Sequence, residues 1–166
     1  MVLVTVGNAT QGFPRLLSAV DRLAGERVFG DELVIMQAGN TAGISLQHCD
    51  HRRFLPMDEF IALVQNAALV IAHAGAGTLF NVFQAGKIPV VMPRRKRYRE
   101  HVDDHQVELV RALTSAGRVV PAFEPEDLPD AIARVRRCPM RPTDPEGSKM
   151  RGLVAQAIED LLENRR

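Results

Sequence analysis

The run Leu69-Val-Ile-Ala72 is apolar at every position and passes without a spacer into His73-Ala-Gly-Ala-Gly-Thr78. A strand with one wet face alternates apolar and polar residues, whereas a run apolar throughout is buried on both faces, as in the interior of a parallel sheet. Similar runs recur at Val2–Val6, Leu33–Met36 and Pro89–Met92 and, shortened, at Val119-Val120; the weakly patterned residues 40–53 leave room for a short third strand. Stretches with helical spacing lie between them. Leu16, Leu17, Val20 and Leu23 follow Pro14, which suits a first helical position. Phe60, Ile61, Val64 and Ala67 mark a second helix, residues 77–86 a third, and residues 102–116 a fourth with Val102, Leu109, Val110 and Leu113 inward. Leu128, Ala131, Ile132 and Val135 mark a fifth. The alternation predicts an α/β fold, a Rossmann-like parallel sheet with helices on both faces. Residues 1–166 are expected to form a single domain, with the three-proline segment 138–147 a loop before a C-terminal helix. That helix carries the wide stripe Leu153, Val154, Ala157, Ile158, Leu161 and Leu162, which packs either on its own domain or against a partner.

Sheets of this kind bind ligands at the carboxyl ends of their strands. Gly7, Gly39, Phe54, Ala72–Thr78 and Pro93 onward are expected along that rim, where the polar and glycine-rich residues concentrate. The net charge of +1 commits the chain to no polyanionic partner. One tyrosine, no tryptophan and no recognition module argue against nucleic acid. Cys49 and Cys138 form no disulfide framework, which fits a reducing cytosol. Met1-Val-Leu-Val-Thr-Val-Gly7 reads as a strand, not a leader, and no apolar run approaches the roughly 20 residues of a bilayer span.

Three rim segments hold candidate chemistry. A helix N-terminus exposes unpaired N–H groups and a partial positive charge, which an anion reaches only where side chains do not block it. Gly75, Ala76 and Gly77 remove the obstruction and Thr78 adds a hydroxyl, so the turn reads as a diphosphate cradle. The competing reading is a tight strand-to-helix turn packed closely on its neighbours. The second segment, Arg94-Arg-Lys-Arg-Tyr-Arg99, places five cations within six positions. It is either a solvated loop or a patch for acidic lipid headgroups. The third, His101-Val-Asp-Asp-His105, has two histidines four apart, and a metal-dependent hydrolase built on them is one reading. Sugar recognition by Asp104, His105 and Gln106 is the other, since a carboxylate and an amide at a helix start can bond vicinal hydroxyls.

Taken together, His73-Ala-Gly-Ala-Gly-Thr78, Pro93-Arg-Arg95 and Glu100-His-x-Asp-Asp-His-Gln106 resemble the donor-binding half of GT-B glycosyltransferases. The likeness is to the family 28 C-terminal-domain type. That type includes small single-half subunits of exopolysaccharide and capsule synthesis and the catalytic subunit of the dolichol-linked N-acetylglucosaminyltransferase. The resemblance implies a UDP-sugar donor, no metal cofactor, and a lipid-linked sugar acceptor held by a separate membrane-associated subunit. It implies a cytoplasmic chain recruited to the inner face of the membrane by that partner; self-association of the isolated chain stays open. It matches Phe54 and Leu55 to the uracil contact, Gly75–Thr78 to the diphosphate turn, and Gly7 and Asn8 to the loop closing over the phosphates. Asp104, His105 and Gln106 match the segment facing the donor sugar. Asn81 stands where relatives often carry a ribose-binding glutamate.

Inverting transfer needs a base for the acceptor hydroxyl and stabilisation of the leaving diphosphate. The turn supplies the second, with Arg94 or Arg95 assisting or else pairing with a carboxylate on the donor sugar. For the base, His73, Glu100 and His101 are candidates. His73 ends a buried strand and reads equally as a structural histidine, and the base is otherwise expected on the acceptor half. The alternative to a catalytic subunit is a UDP-sugar-binding module that regulates or stabilises a partner without chemistry of its own.

Overall fold

The computed structural model describes residues 1–137; the 138–147 loop, the stripe of the last helix and Cys138 lie outside the described residues. In chain order the elements are β1 (Val2–Thr5), α1 (Pro14–Gly25), β2 (Val34–Gln37), β3 (Asp50–Arg52), α2 (Met57–Asn66), β4 (Leu69–His73), α3 (Ala76–Gln84), β5 (Val90–Met92), α4 (His105–Ser115), β6 (Val120–Pro121) and α5 (Leu128–Arg137). The six strands form one sheet in the order β3-β2-β1-β4-β5-β6, and every pairing is parallel. The α/β, Rossmann-like reading of the sequence therefore holds.

The period of two in a strand divides the core cleanly. Val2, Val4, Leu69, Ile71, Val90 and Met92 pack with Leu16, Leu17, Val20 and Leu23 of α1 and Leu128, Ala131 and Ile132 of α5. The alternate strand residues face the other way. Leu3, Val70 and Ala72 meet Phe60 and Val64 of α2 and Val82 of α3, while Val91 meets Leu79 and Phe83 of α3 and Leu109, Val110 and Leu113 of α4. The interior strands β1, β2, β4 and β5 are buried at every position, whereas β3 at the sheet edge is exposed throughout.

Two helix expectations need correction. Ile61 is exposed, because the buried stripe of α2 runs through Phe60 and Val64 only. Helix α4 starts at His105, three residues later than the apolar spacing suggests, and Val102 is 67% exposed. Residues 101–104 form a polar turn instead, organised by Asp103, whose Oδ1 accepts from the His105 main chain at 3.2 Å.

Candidate functional site at the switch point of the sheet

Strands β1 and β4 lie side by side, and the chain winds outward from them in opposite directions. Their carboxyl ends part to leave the crevice in which open α/β sheets bind ligands. Here it has a volume of ≈ 280 Å³. Gly7 and Asn8 line it from the β1 loop, Gln37 from the end of β2, Leu55, Met57 and Phe60 from the start of α2, and His73, Gly75, Gly77, Thr78 and Asn81 from β4 and α3.

The start of α3 is bare. Its first intrahelical bond is donated by Leu79 to the Gly75 carbonyl, and no side chain caps the turn. The main-chain N–H groups of Ala76, Gly77 and Thr78 are left at the positive end of the helix, the arrangement that favours an anion. The two glycines serve different ends. A Cβ on Gly75 would sit 2.1 Å from His73 Nε2, so Gly75 is small to admit the His73 ring. A Cβ on Gly77 would meet nothing within 4 Å, so that position opens on the crevice. The tight-packing reading of the turn is met at Gly75, while Gly77 leaves the start of the helix open. One turn further on, Asn81 Nδ2 donates to the Gly77 carbonyl at 2.8 Å, which leaves Oδ1 as the amide's remaining polar end.

His73 is sandwiched between two loops. A Cβ on Gly7 would lie 2.5 Å from its Cε1, and Gly7 has φ +66°, a conformation open to glycine. The ring is buried and Nδ1 makes no hydrogen bond. Burial, reinforced by the nearby Arg94 guanidinium and opposed by the Thr5 main chain, pushes its pKa down to about 4. His73 is therefore neutral at pH 7 and a weak base.

The other two rim segments are braces. Arg94 is only 1% exposed. Its guanidinium donates to the carbonyls of Val6 at 2.8 Å, Gln11 at 2.8 Å, Gly12 at 3.1 Å and Glu100 at 3.1 Å, and lies 4.9 Å from the Phe13 ring centroid. Burial lowers its pKa to about 10, against the opposing pull of Glu100, so it stays charged at neutral pH. Arg94 holds the loop 6–12 from behind and cannot reach a nucleotide as a free cation. Glu100 is also buried, and its carboxylate is bidentate to Arg15 at 2.9 Å on both oxygens and accepts from Arg95 N at 3.0 Å. That occupation corrects the expectation that Glu100 serves as a base. Arg95 and Arg97 both pair with Glu124, and Arg95 also lies 5.7 Å from the Phe123 ring centroid. Arg94 and Arg95 are thus turned inward, while Lys96, Arg97 and Arg99 stay exposed on the rim.

Nor do the sugar-recognition candidates line the crevice. Asp104 Oδ1 accepts from Lys96 N at 2.9 Å and Gln106 Oε1 from Arg94 N at 3.0 Å, so both side chains brace the residues after β5. His101 and His105 turn their Nδ1 atoms onto Asp103, at 2.9 and 2.6 Å. Burial works to raise the Asp103 carboxyl, but the hydrogen bonds and charge of His105 outweigh it and hold it below the usual range. Among the described residues no group of three or more His, Cys, Asp or Glu is placed to hold a metal ion. Phe54 is 43% exposed and stacks on Arg53 beside the crevice, while its neighbour Leu55 lines it. Gln37, Met57 and Phe60 complete the wall and were not anticipated; the polar Gln37 closing an otherwise apolar strand was the available signal.

A doubly wound domain with an uncapped helix end at its switch point defines a nucleotide-binding type of Rossmann fold. Comparison with known proteins narrows this. Residues 1–161 match the glycosyltransferase family 28 C-terminal domain, and the chain belongs to that family. It is 31% identical over 119 residues to the UDP-N-acetylglucosamine--N-acetylmuramyl-(pentapeptide) pyrophosphoryl-undecaprenol N-acetylglucosamine transferase of Ralstonia nicotianae, a match covering 63% of this chain and 31% of that protein. The chain thus spans about a third of the curated relative it matches. In fold it is similar to the crystal structure of the glycotransferase of kitacinnamycin (TM-score 0.64, 18% identity, 98% of this chain and 42% of that one). It is also similar to CalG4, the calicheamicin glycosyltransferase (TM-score 0.54, 20% identity, 98% and 38%). The expected likeness to the donor-binding half of GT-B enzymes is met. Among the described residues no helix is long and apolar enough to cross a membrane.

Proposed function

We propose that this chain is the donor-binding catalytic subunit of a two-component inverting glycosyltransferase. It takes a UDP-sugar and passes the sugar to a polyprenyl-diphosphate-linked acceptor in exopolysaccharide, capsule or related glycan synthesis. The observation that carries the reading is the uncapped start of α3 in the switch-point crevice, with Gly77 open on it. The Ralstonia relative, whose name specifies a UDP-sugar and a pyrophosphoryl-undecaprenol substrate, supports the donor and acceptor classes.

In this reaction the acceptor hydroxyl loses its proton to a base and its oxygen attacks the anomeric carbon. The bond from that carbon to the diphosphate breaks on the opposite face, and UDP leaves with the electron pair. The N–H groups of residues 76–78 are aimed where the leaving charge grows, the kind of preorganised electrostatics that contributes most to catalysis. They do this without a bound cation, so a chelator leaves UDP affinity unchanged. Leu55, Met57 and Phe60 give the base of the nucleotide an apolar wall, and Asn81 Oδ1 accepts from a ribose hydroxyl. His73, neutral and clasped by two glycines, shapes the two loops, and the proton is taken by the acceptor-binding, membrane-associated subunit. That subunit also brings the chain to the inner face of the membrane.

A second reading, a UDP-sugar-binding module without its own chemistry, is favoured by one observation: among the described residues His73 is the one titratable side chain lining the crevice. The test is transfer of radiolabelled sugar from UDP-sugars to a polyprenyl-diphosphate-linked sugar, with and without membranes containing the partner. Transfer that requires both components supports the catalytic reading. UDP binding by calorimetry with no transfer under any combination, while the partner alone transfers sugar, supports the module.

A further inference from the structure

The β1 loop, Gly7-Asn-Ala-Thr-Gln-Gly-Phe13, holds no titratable side chain, yet it is tied down on every side. Arg94 bonds it from behind, Asn40 Nδ2 donates to the Ala9 carbonyl at 3.0 Å, and the Thr41 hydroxyl accepts from Phe13 N at 2.9 Å. On the crevice side a chain of polar side chains runs across two strands. Thr5 and Gln37 are register partners in the β1–β2 pair, so their side chains emerge on the same face. The Thr5 hydroxyl donates to Gln37 Oε1 at 2.7 Å, and Gln37 Nε2 donates to Asn8 Oδ1 at 3.0 Å. Thr5 is fully buried and Gln37 is 5% exposed.

The polarity of this chain is set at its buried end. Thr5 Oγ1 already accepts from Gly7 N at 3.2 Å. Were the Gln37 amide reversed, the hydroxyl would accept twice and its proton would be buried without an acceptor, at the cost that attends any unmade buried hydrogen bond. The Thr5 proton therefore goes to Gln37 Oε1, which directs Gln37 Nε2 at Asn8 and takes up Asn8 Oδ1. The Asn8 amide nitrogen, with two N–H donors, is then left for the crevice that Asn8 lines, beside the second N–H of Gln37 Nε2.

We infer that Gln37, anchored by Thr5, is a positioning residue that presents Asn8 to the crevice as a hydrogen-bond donor for diphosphate oxygens, opposite the main-chain donors of α3. The inference rests on the functional reading above, in which the β1 loop closes over the phosphates, and adds to it the side chains of β1 and β2 that orient Asn8 within that loop. It also explains how a loop without a charge serves an anion: the Asn8 amide oxygen is engaged by Gln37 and its N–H groups are left to donate.

The test is a double-mutant cycle on Gln37→Met and Asn8→Ala, with UDP and uridine titrated calorimetrically into each folded variant, folding being checked by thermal melting. Gln37→Met is expected to weaken UDP about tenfold and uridine less than about twofold, as for one charge-assisted hydrogen bond. In the Asn8→Ala background it is expected to change UDP affinity by less than about twofold, since the residue it positions is gone. An unchanged UDP affinity in Gln37→Met, or an equal loss with Asn8 already removed, overturns the inference. A wild-type chain that binds UDP separates that failure from failure of the functional reading; one that binds neither UDP nor uridine overturns both. Should Gln37→Met not fold, the Asn8 side-chain amide resonance of the wild-type chain, assigned by its loss in Asn8→Ala, decides. It should shift with UDP and stay fixed with uridine, and equal response to both ligands overturns the inference.

Discussion

The turn Gly75–Thr78 and the stretch Arg94–Arg99 lie on the same rim and invert each other. The turn has no charged side chain and stands open to the crevice, whereas the stretch has five cations and turns two of them, Arg94 and Arg95, inward onto carbonyls and a carboxylate. An anion is held where donors are accessible and already oriented, not where formal charge is densest. Buried charge does another task here. It ties the β1 loop, the residues after β5 and the 3₁₀ turn at Lys96–Tyr98 into a single brace through Arg94, Arg15 and Glu100.

The contrast breaks first at Arg94. Arg94→Met strips four carbonyls of their donor, two of them in buried bonds, and we expect urea denaturation to show a loss of about 3–5 kcal/mol. Unchanged stability with abolished UDP binding would instead make the basic stretch the ligand site. His73 comes next. Its pKa of about 4 lies below the ordinary 6.5, so the unfolded chain binds more protons between those values. The sign follows directly: stability is full above pH 6.5 and falls by about 3 kcal/mol as pH drops toward 4, a slope that His73→Asn should lack. Matching slopes in the two proteins would show that His73 is not buried neutral between Gly7 and Gly75.

The glycine turn is sharpened by comparing its two glycines. Gly77→Val points into open space and should weaken UDP about a hundredfold while raising or preserving Tm, since glycine is the poorer helix former. Gly75→Val should lower Tm by colliding with His73, so loss of binding there cannot be read as loss of a cradle. The smallest effect belongs to Arg97→Ala. Its pairing with Glu124 is exposed, and we expect a change below about 1 kcal/mol in stability and none in UDP affinity.

These differences track what was legible in the residues alone. The strands, α1, α3 and the glycine turn are written in neighbouring positions, where apolar runs and bare residues speak for themselves. Val102 misled because its spacing suits α4, while the side chain of Asp103 accepts the His105 main chain and starts the helix later. Arg94 misled more deeply. Nothing near it in sequence indicates a guanidinium enclosed by the Val6–Gly12 loop, whose residues lie more than eighty positions away. Gln37 stands out as a polar end to an apolar strand, but its task depends on Thr5 lying beside it in the β1–β2 register, which the sequence does not show. Local chemistry is readable; the partners a sheet brings together are not.

The central claim is that the main-chain N–H groups of Ala76, Gly77 and Thr78 grip a diphosphate. A crystal structure of the chain soaked with UDP tests it most directly. Phosphate oxygens are expected within hydrogen-bond distance of those three nitrogens, with the base against Leu55 and Phe60. UDP seated instead beside Arg95 and Arg97, with the switch-point crevice empty, would contradict it.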